Sequence, residues 1–222
     1  GVCYVGFIDK ARKNALENLP KESFALYNKI SGDSIVNLAR KGLDLGSIRP
    51  KGPGRGWKIE NALAIVDSAT GNRSFEQGKA MFAASLCRTC HQISGEGGIA
   101  GPDLTQLGNR FSTKDMLEAI ISPSKTISDQ YGSTVFFLKS GGSVLGRLIR
   151  QDNLKYYISQ NPFDTQTIKA ILKKDVVRTR VSDVSPMLPG MINGLNPDEL
   201  KDLIAFLKSG GNPAHPAYAS SK

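Results

Sequence analysis

Three residues in the segment "SLCRTCHQISGEGGIAGPDL" (85–104) could do chemistry together: Cys87, Cys90 and His91, in the spacing C-x-x-C-H. That spacing is a site for covalent haem attachment, with both thiols adding to the porphyrin as thioethers and the next side chain reaching the iron. Two thioethers pin one edge of the ring to a single helical turn, so Cys87 and Cys90 are candidate anchors and His91 the candidate proximal ligand. Two other chemistries stay open. A closed structural zinc site needs four ligands, and Cys3 or His215 would have to supply the fourth. A redox dithiol needs a βαβ context, whereas this motif follows a capped helix and precedes a glycine-rich loop.

A ligating histidine usually donates its second ring N–H to a carbonyl, which sets tautomer and ring angle. Pro102 in "GPDL" is the candidate to present that carbonyl, because its fixed φ and missing N–H stiffen the loop. The plainer alternative is that Gly101-Pro102 is only a turn. A low-spin electron carrier needs a sixth ligand, and methionine sulfur is the soft donor that raises the potential. Met81 and Met116 lie in helical patterns and read as core fillers. Met187 and Met191 lie in "VSPMLPGMING", and Met187, bracketed by Pro186 and Pro189, is the first choice, with Met191 second and an open site third.

The elements that must hold these residues are legible in the pattern. Ser74 and Gln77 have capping-box spacing at the head of a helix through Phe82, immediately before the cysteine pair. A Ser112/Thr113 cap, an apolar face of Met116, Leu117, Ile120 and Ile121, and a stop at Pro123 predict a second helix. The period then changes. Over 132–160, β-branched and aromatic runs punctuated by Gly141-Gly142 and Asp152-Asn153 predict antiparallel hairpins, and "TIKAILKKDVVRTRV" (167–181) continues as strand or short helix. Asn196 as cap, Pro197 at the first helical position and the stripe Leu200, Leu203, Ile204 and Leu207 predict a final helix ending at Gly210. Upstream, 10–41 reads as two short helical segments and "KIENALAIVDSATG" as another. The Gly-, Pro- and cation-rich "KGLDLGSIRPKGPGRG" between them reads as a linker or strap.

The chain has 222 residues, 40% of them hydrophobic, and a formal charge of +9. It contains no apolar run of eighteen or more, the length needed to span a bilayer. Its basic residues are scattered, without zinc-finger spacing or an RNP signature, so a surface that docks acidic proteins is expected rather than a nucleic-acid site. Three cysteines imply no disulfide framework, and Cys3 reads as an incidental thiol. His215, in the tail "GGNPAHPAYASSK", reads as solvated.

The ordered segments "GKAMF", "CRTCH", "GEGGIAGPDLTQLGNRF", "LEAIISPSKTISDQYGSTVFFLKSGGSVLGRLI" and "SPMLPGMINGLNPDELKDLIAFL" resemble the class I cytochrome c fold. They are most similar to the haem-binding domain of the Pirellula/Verrucomicrobium type. The resemblance implies one covalent haem c on Cys87 and Cys90, His91 as proximal ligand and Met187 of the S-x-M motif as distal ligand. It implies a mainly α cytochrome c fold with a small antiparallel β insertion (α+β), between the proximal-side helices and the methionine loop. Residues 1–60 would form an N-terminal helical extension and linker, and 61–222 a monohaem domain with its insertion at about 131–181. Family members commonly read Met-Pro where this chain has Met187-Leu188-Pro189, so Met191 stays an alternative. The expected function is electron transfer between a dehydrogenase or reductase and a downstream haem or oxidase, in the periplasm or otherwise outside the cytoplasm. The rival readings are a haem peroxidase or gas sensor with an open sixth site, and a zinc-stabilised interaction domain.

Overall fold

A computed structural model describes residues 49–68, 72–161 and 164–219. The chain divides into two compact units, Gly1–Ser47 and Ile48–Lys222, and the cut falls inside the Gly/Pro/basic segment. The helical segments expected over 10–41, and Cys3, lie outside the described residues.

The helical part of the second unit is built on a crossing of two helices. Helix α1 (Ile59–Asp67) and helix α2 (Phe75–Ala84) come first; α3 (Cys87–Cys90), α4 (Leu107–Arg110) and α5 (Thr113–Ile121) follow. The last, α6 (Pro197–Lys208), is capped as the sequence predicts: Asn196 accepts from the amides of Asp198 and Glu199, and Glu199 accepts from the Asn196 amide. Its stripe of Leu200, Leu203, Ile204 and Leu207 is buried. Helix α2 lies against α6 with Gly78 at the contact, where a Cβ would stand 2.4 Å from the Asp202 carbonyl oxygen and 2.7 Å from Phe206 Cβ. Rings close over this point, Phe75 and Phe82 each 5.5 Å from Phe206. Helix α1 packs on α5 and α6.

The cap of α2 differs from the expected box. Ser74 Oγ accepts from the Gln77 amide, but the Ser74 amide donates to Asp202 of α6 rather than back to Gln77. A carboxylate on the neighbouring helix is the stronger acceptor, so one helix end is closed by the element it packs on. Residues 49–57 form an extended strap against the N-terminus of α6. The Lys51 amide donates to Glu199 Oε1 at 2.6 Å, Asn196 Nδ2 donates to the Gly52 carbonyl, and Trp57 is buried.

Strands β1 (Gln92–Ile93) and β2 (Glu96–Gly97) make a small hairpin after α3. Five more form an antiparallel sheet: β3 (Thr134–Leu138), β4 (Ser143–Gln151), β5 (Lys155–Asn161), β6 (Asp164–Leu172) and β7 (Val176–Val181), in spatial order β6-β5-β4-β3-β7. Both expected hairpin turns are present. Gly141 and Gly142 take positive φ, and Asp152 Oδ1 accepts the amides of Leu154 and Lys155. Strand β4 pairs with β3 through Gly146 and with β5 from Arg147 onward. The sheet has its own small core of Phe136, Val144 and Ile158, separate from the helical core. The architecture is thus a mixed one of helices and antiparallel sheet. Among the described residues no helix is long and apolar enough to cross a membrane.

The contact at Gly78 is with backbone, which cannot rotate away, so Gly78→Ala should destabilise the unit by about 1–3 kcal/mol. Chemical denaturation followed by far-UV circular dichroism reads this, and an unchanged midpoint would show that the crossing is looser than described.

Candidate functional site

The motif sits on one turn of helix set off from α2 by Leu86, whose φ of 62° is left-handed and breaks the run into two helices. Cys87 is buried and Cys90 half-buried, both as free thiols. The His91 amide closes the turn by donating to the Cys87 carbonyl at 2.9 Å. The His91 side chain is thereby delivered directly from the turn that carries both thiols.

The glycine-rich loop then folds back against that turn. Ser94 and Gly95 take positive φ and reverse the chain, and the amides of Gly98 and Gly101 donate to the carbonyls of Arg88 and Cys90. A Cβ on Gly98 would stand 2.0 Å from the Thr89 carbonyl oxygen, so this return path requires bare backbone. At its end the His91 ring is fixed from two sides. Nδ1–H donates to the Pro102 carbonyl at 2.9 Å, and the ring lies so close to Gly101 that a Cβ there would be 2.6 Å from Cε1. With Nδ1 engaged, Nε2 is the nitrogen left to act as a ligand.

The electrostatics bear on the thiols and the imidazole in opposite ways. Burial pushes the Cys87 thiol up to about 12 and raises that of Cys90. A redox dithiol needs a lowered thiol pKa, the reverse of what this environment imposes. Burial lowers the His91 pKa, against a smaller opposing effect of the Pro102 carbonyl, and so favours the neutral imidazole that can ligate. Among the described residues no three His, Cys, Asp or Glu side chains are grouped to hold a metal ion. His215 is half-buried rather than solvated: its Nδ1 accepts from the Ala217 amide, and its ring meets Tyr218 edge-on.

Met187 is partly buried and packs against the helical core, the cluster that also contains Cys87 and Trp57. Its loop is tied down by Ser185, whose Oγ accepts from the Met187 amide and whose own amide donates to Ser124 Oγ after α5. Met191 is half-buried, and Met81 and Met116 are buried core residues, as their helical positions predict.

Three features were not read from the sequence as parts of the site. Trp57 Nε1 and Ser85 Oγ are buried with no hydrogen-bond partner. Buried donors are rarely left unpaired, so both fit a site that receives a group bearing acceptors. Arg147, on β4, lies over the Tyr131 ring at 4.7 Å and donates to the Ala100 carbonyl at 2.9 Å, joining the sheet to the loop beside His91. The run of glycines was the available signal for the loop. Nothing local marks Trp57, Ser85 or Arg147.

Residues 75–142 match the family model for cytochrome c. The match supports a class I c-type cytochrome, and with it haem-based electron transfer and covalently bound haem c. No curated protein matches the chain. The cytochrome c match takes in α2, the cysteine pair, His91, the glycine loop and α5, and it ends at the β3–β4 turn. Met187 lies beyond it.

Because Gly101 leaves the His91 ring no room to move toward it, Gly101→Val should displace the imidazole and break the Nδ1–H bond to Pro102. Long-range 1H–15N NMR of the imidazole should show the Nδ1–H tautomer in the wild-type apoprotein and tautomer averaging in the variant. Identical spectra would show that the loop does not set the ring.

Proposed function

We propose that the protein is a monohaem c-type cytochrome that carries electrons between a dehydrogenase or reductase and a downstream haem or oxidase. Cys87 and Cys90 are the thioether anchors, His91 the proximal ligand, Pro102 the carbonyl that orients it and Met187 the distal ligand. The observation that carries the reading is the His91 geometry: a ring delivered from the helical turn of both cysteines, clamped by Pro102 and Gly101, with Nε2 left for iron.

The residues present fit the group. Haem c supplies the one-electron couple of its iron, while the protein supplies ligation, polarity and exclusion of water. The helical core, to which Trp57 and Cys87 belong and against which Met187 packs, offers apolar surroundings, and Trp57 Nε1 is an unspent donor suited to a haem carboxylate. Core packing of Met187, with its amide held by Ser185, supports it over Met191 as the thioether donor. A thioether stabilises ferrous over ferric iron relative to water or a second histidine. The compartment we propose is periplasmic or otherwise extracytoplasmic, where haem c is generally attached.

Replacing both Cys87 and Cys90 by Ala should yield protein from which acid-acetone removes all haem, whereas either single change leaves at most one thioether. Haem retained by the double variant would end the c-type reading. Met187→Ala should lower the midpoint potential, abolish the charge-transfer band of the sulfur–iron bond and admit carbon monoxide or cyanide, and Met191→Ala should do none of these. Reversed results would move the ligand to Met191. If the wild type itself binds exogenous ligands readily, an open sixth site and sensor or peroxidase chemistry replace the carrier.

A further inference from the structure

The positive charge of this chain is not spread evenly, and the fold shows where it collects. Residues 131–181, which contain the five-stranded sheet, carry nine Lys or Arg against three Asp or Glu. Residues 49–130 and 182–222, which contain the strap, the helices and the His91 loop, carry thirteen against twelve. The part of the molecule that carries the candidate haem site is therefore nearly neutral, and the sheet is strongly basic.

One face of the sheet covers its core of Phe136, Val144 and Ile158. Strand alternation and register place Val135, Phe137, Leu145, Tyr157, Arg178 and Arg180 on the other face. Cross-strand neighbours there pair a cation with a ring. The Arg178 guanidinium lies 3.7 Å from the Phe137 ring centroid, directly opposite in register, and that of Arg150 lies 3.5 Å from the centroid of Tyr157. A guanidinium over a ring keeps its N–H donors for other partners, and its planar fork can take a carboxylate in two parallel hydrogen bonds. Neither Arg150 nor Arg178 has a carboxylate at ion-pair distance among the described residues, whereas Arg180 is paired with Asp183. Leu145, 50% exposed, lies beside Val135 on the same face, and Ile149 at the β4 bulge is 45% exposed. Arginine and aromatic rings around exposed aliphatic side chains are the composition of a protein interface core, with lysines at its rim.

We propose that this outer sheet face docks an acidic protein partner. The inference rests on the electron-carrier reading for the partner's role and names the surface on which that partner sits. Single-stranded nucleic acid is the poorer fit, because it uses bare aromatic faces as stacking platforms and here the rings lie under guanidiniums. The location also suits transfer. Arg147, on the same side of β4 as Leu145, donates to Ala100, next to Gly101 against the His91 ring, so a partner seated on the sheet adjoins the ligand loop.

The test uses the full-length holoprotein and a fluorescein-labelled decaglutamate peptide as the probe. Peptide binding, read by anisotropy, should weaken with salt, and amide shifts should map to Val135, Leu145 and Arg178. Arg150→Glu with Arg178→Glu should weaken binding at least about tenfold, with haem content and midpoint potential unchanged. Lys114→Glu with Lys125→Glu alters net charge equally on helix α5 and its following loop, and should weaken binding less than about twofold once charges beyond a Debye length are screened. Should the glutamate pair fail to fold, Arg150→Gln with Arg178→Gln must still reduce binding. Equal losses from both charge reversals, or shifts confined to the helical part, would overturn the docking face. Tighter binding of a thymidylate decamer, or of phosphatidylglycerol vesicles, through the same arginines would overturn the acidic protein as occupant. Absence of covalent haem would instead defeat the carrier reading, which the peptide isotherm does not measure.

Discussion

The close approach of bare backbone to the Cys87–His91 turn is the constraint on which the site depends. Gly97, Gly98 and Gly101 lie where any side chain would collide with the carbonyls of His91 and Thr89 or with the His91 ring. Their cost is conformational entropy in the unfolded chain. It is offset by amide bonds from Gly98 and Gly101 into the turn and by the bond between His91 Nδ1 and Pro102. The imidazole angle is therefore a property of a backbone path rather than of side-chain packing, which tolerates less variation.

That path needs a rigid support, and the helical core provides it. The loop hairpin is tied to the end of α6, where Ser94 Oγ donates to the Gly210 carbonyl, and Ser94 also receives support from Thr105 through its amide. Helix α6 in turn is fixed by Gly78 of α2 at its middle and by the strap at its N-terminus. The chain that leads into the cysteine pair and the chain that closes behind the methionine loop are thus packed on one another. Haem sites generally depend on such outer contacts to hold ligand geometry, and here those contacts are helix caps as much as apolar packing.

The sheet is a different kind of element. It has its own core, is joined to the His91 loop by the bond from Arg147 to the Ala100 carbonyl, and carries a charge surplus that the helices lack. The helical part is nearly neutral and the appended sheet is basic, so substitutions on the sheet face change the charged surface without touching the Cys87–His91 turn.

Much of this was legible in the chain itself. The helix caps at Ser74, Ser112 and Asn196, the two hairpin turns and the role of Pro102 toward His91 all follow from local chemistry, in which a side chain bonds an amide two or three residues away or a proline stiffens its own loop. The C-x-x-C-H spacing likewise narrows the chemistry, because both thiols and the imidazole share one helical turn. Features made by contacts distant in sequence were not legible. The Ser74 amide finds Asp202 across 128 residues rather than Gln77 across three, His215 is held against Tyr218 instead of lying in solvent, and Arg147 reaches Ala100 across 47. Trp57, directly after the segment read as a linker, is buried with its donor unpaired. Local pattern determined which elements form and which residues could do chemistry. Tertiary packing decided which of them meet, because the acceptor a donor finds and the face a strand buries are set by neighbours that only folding brings together.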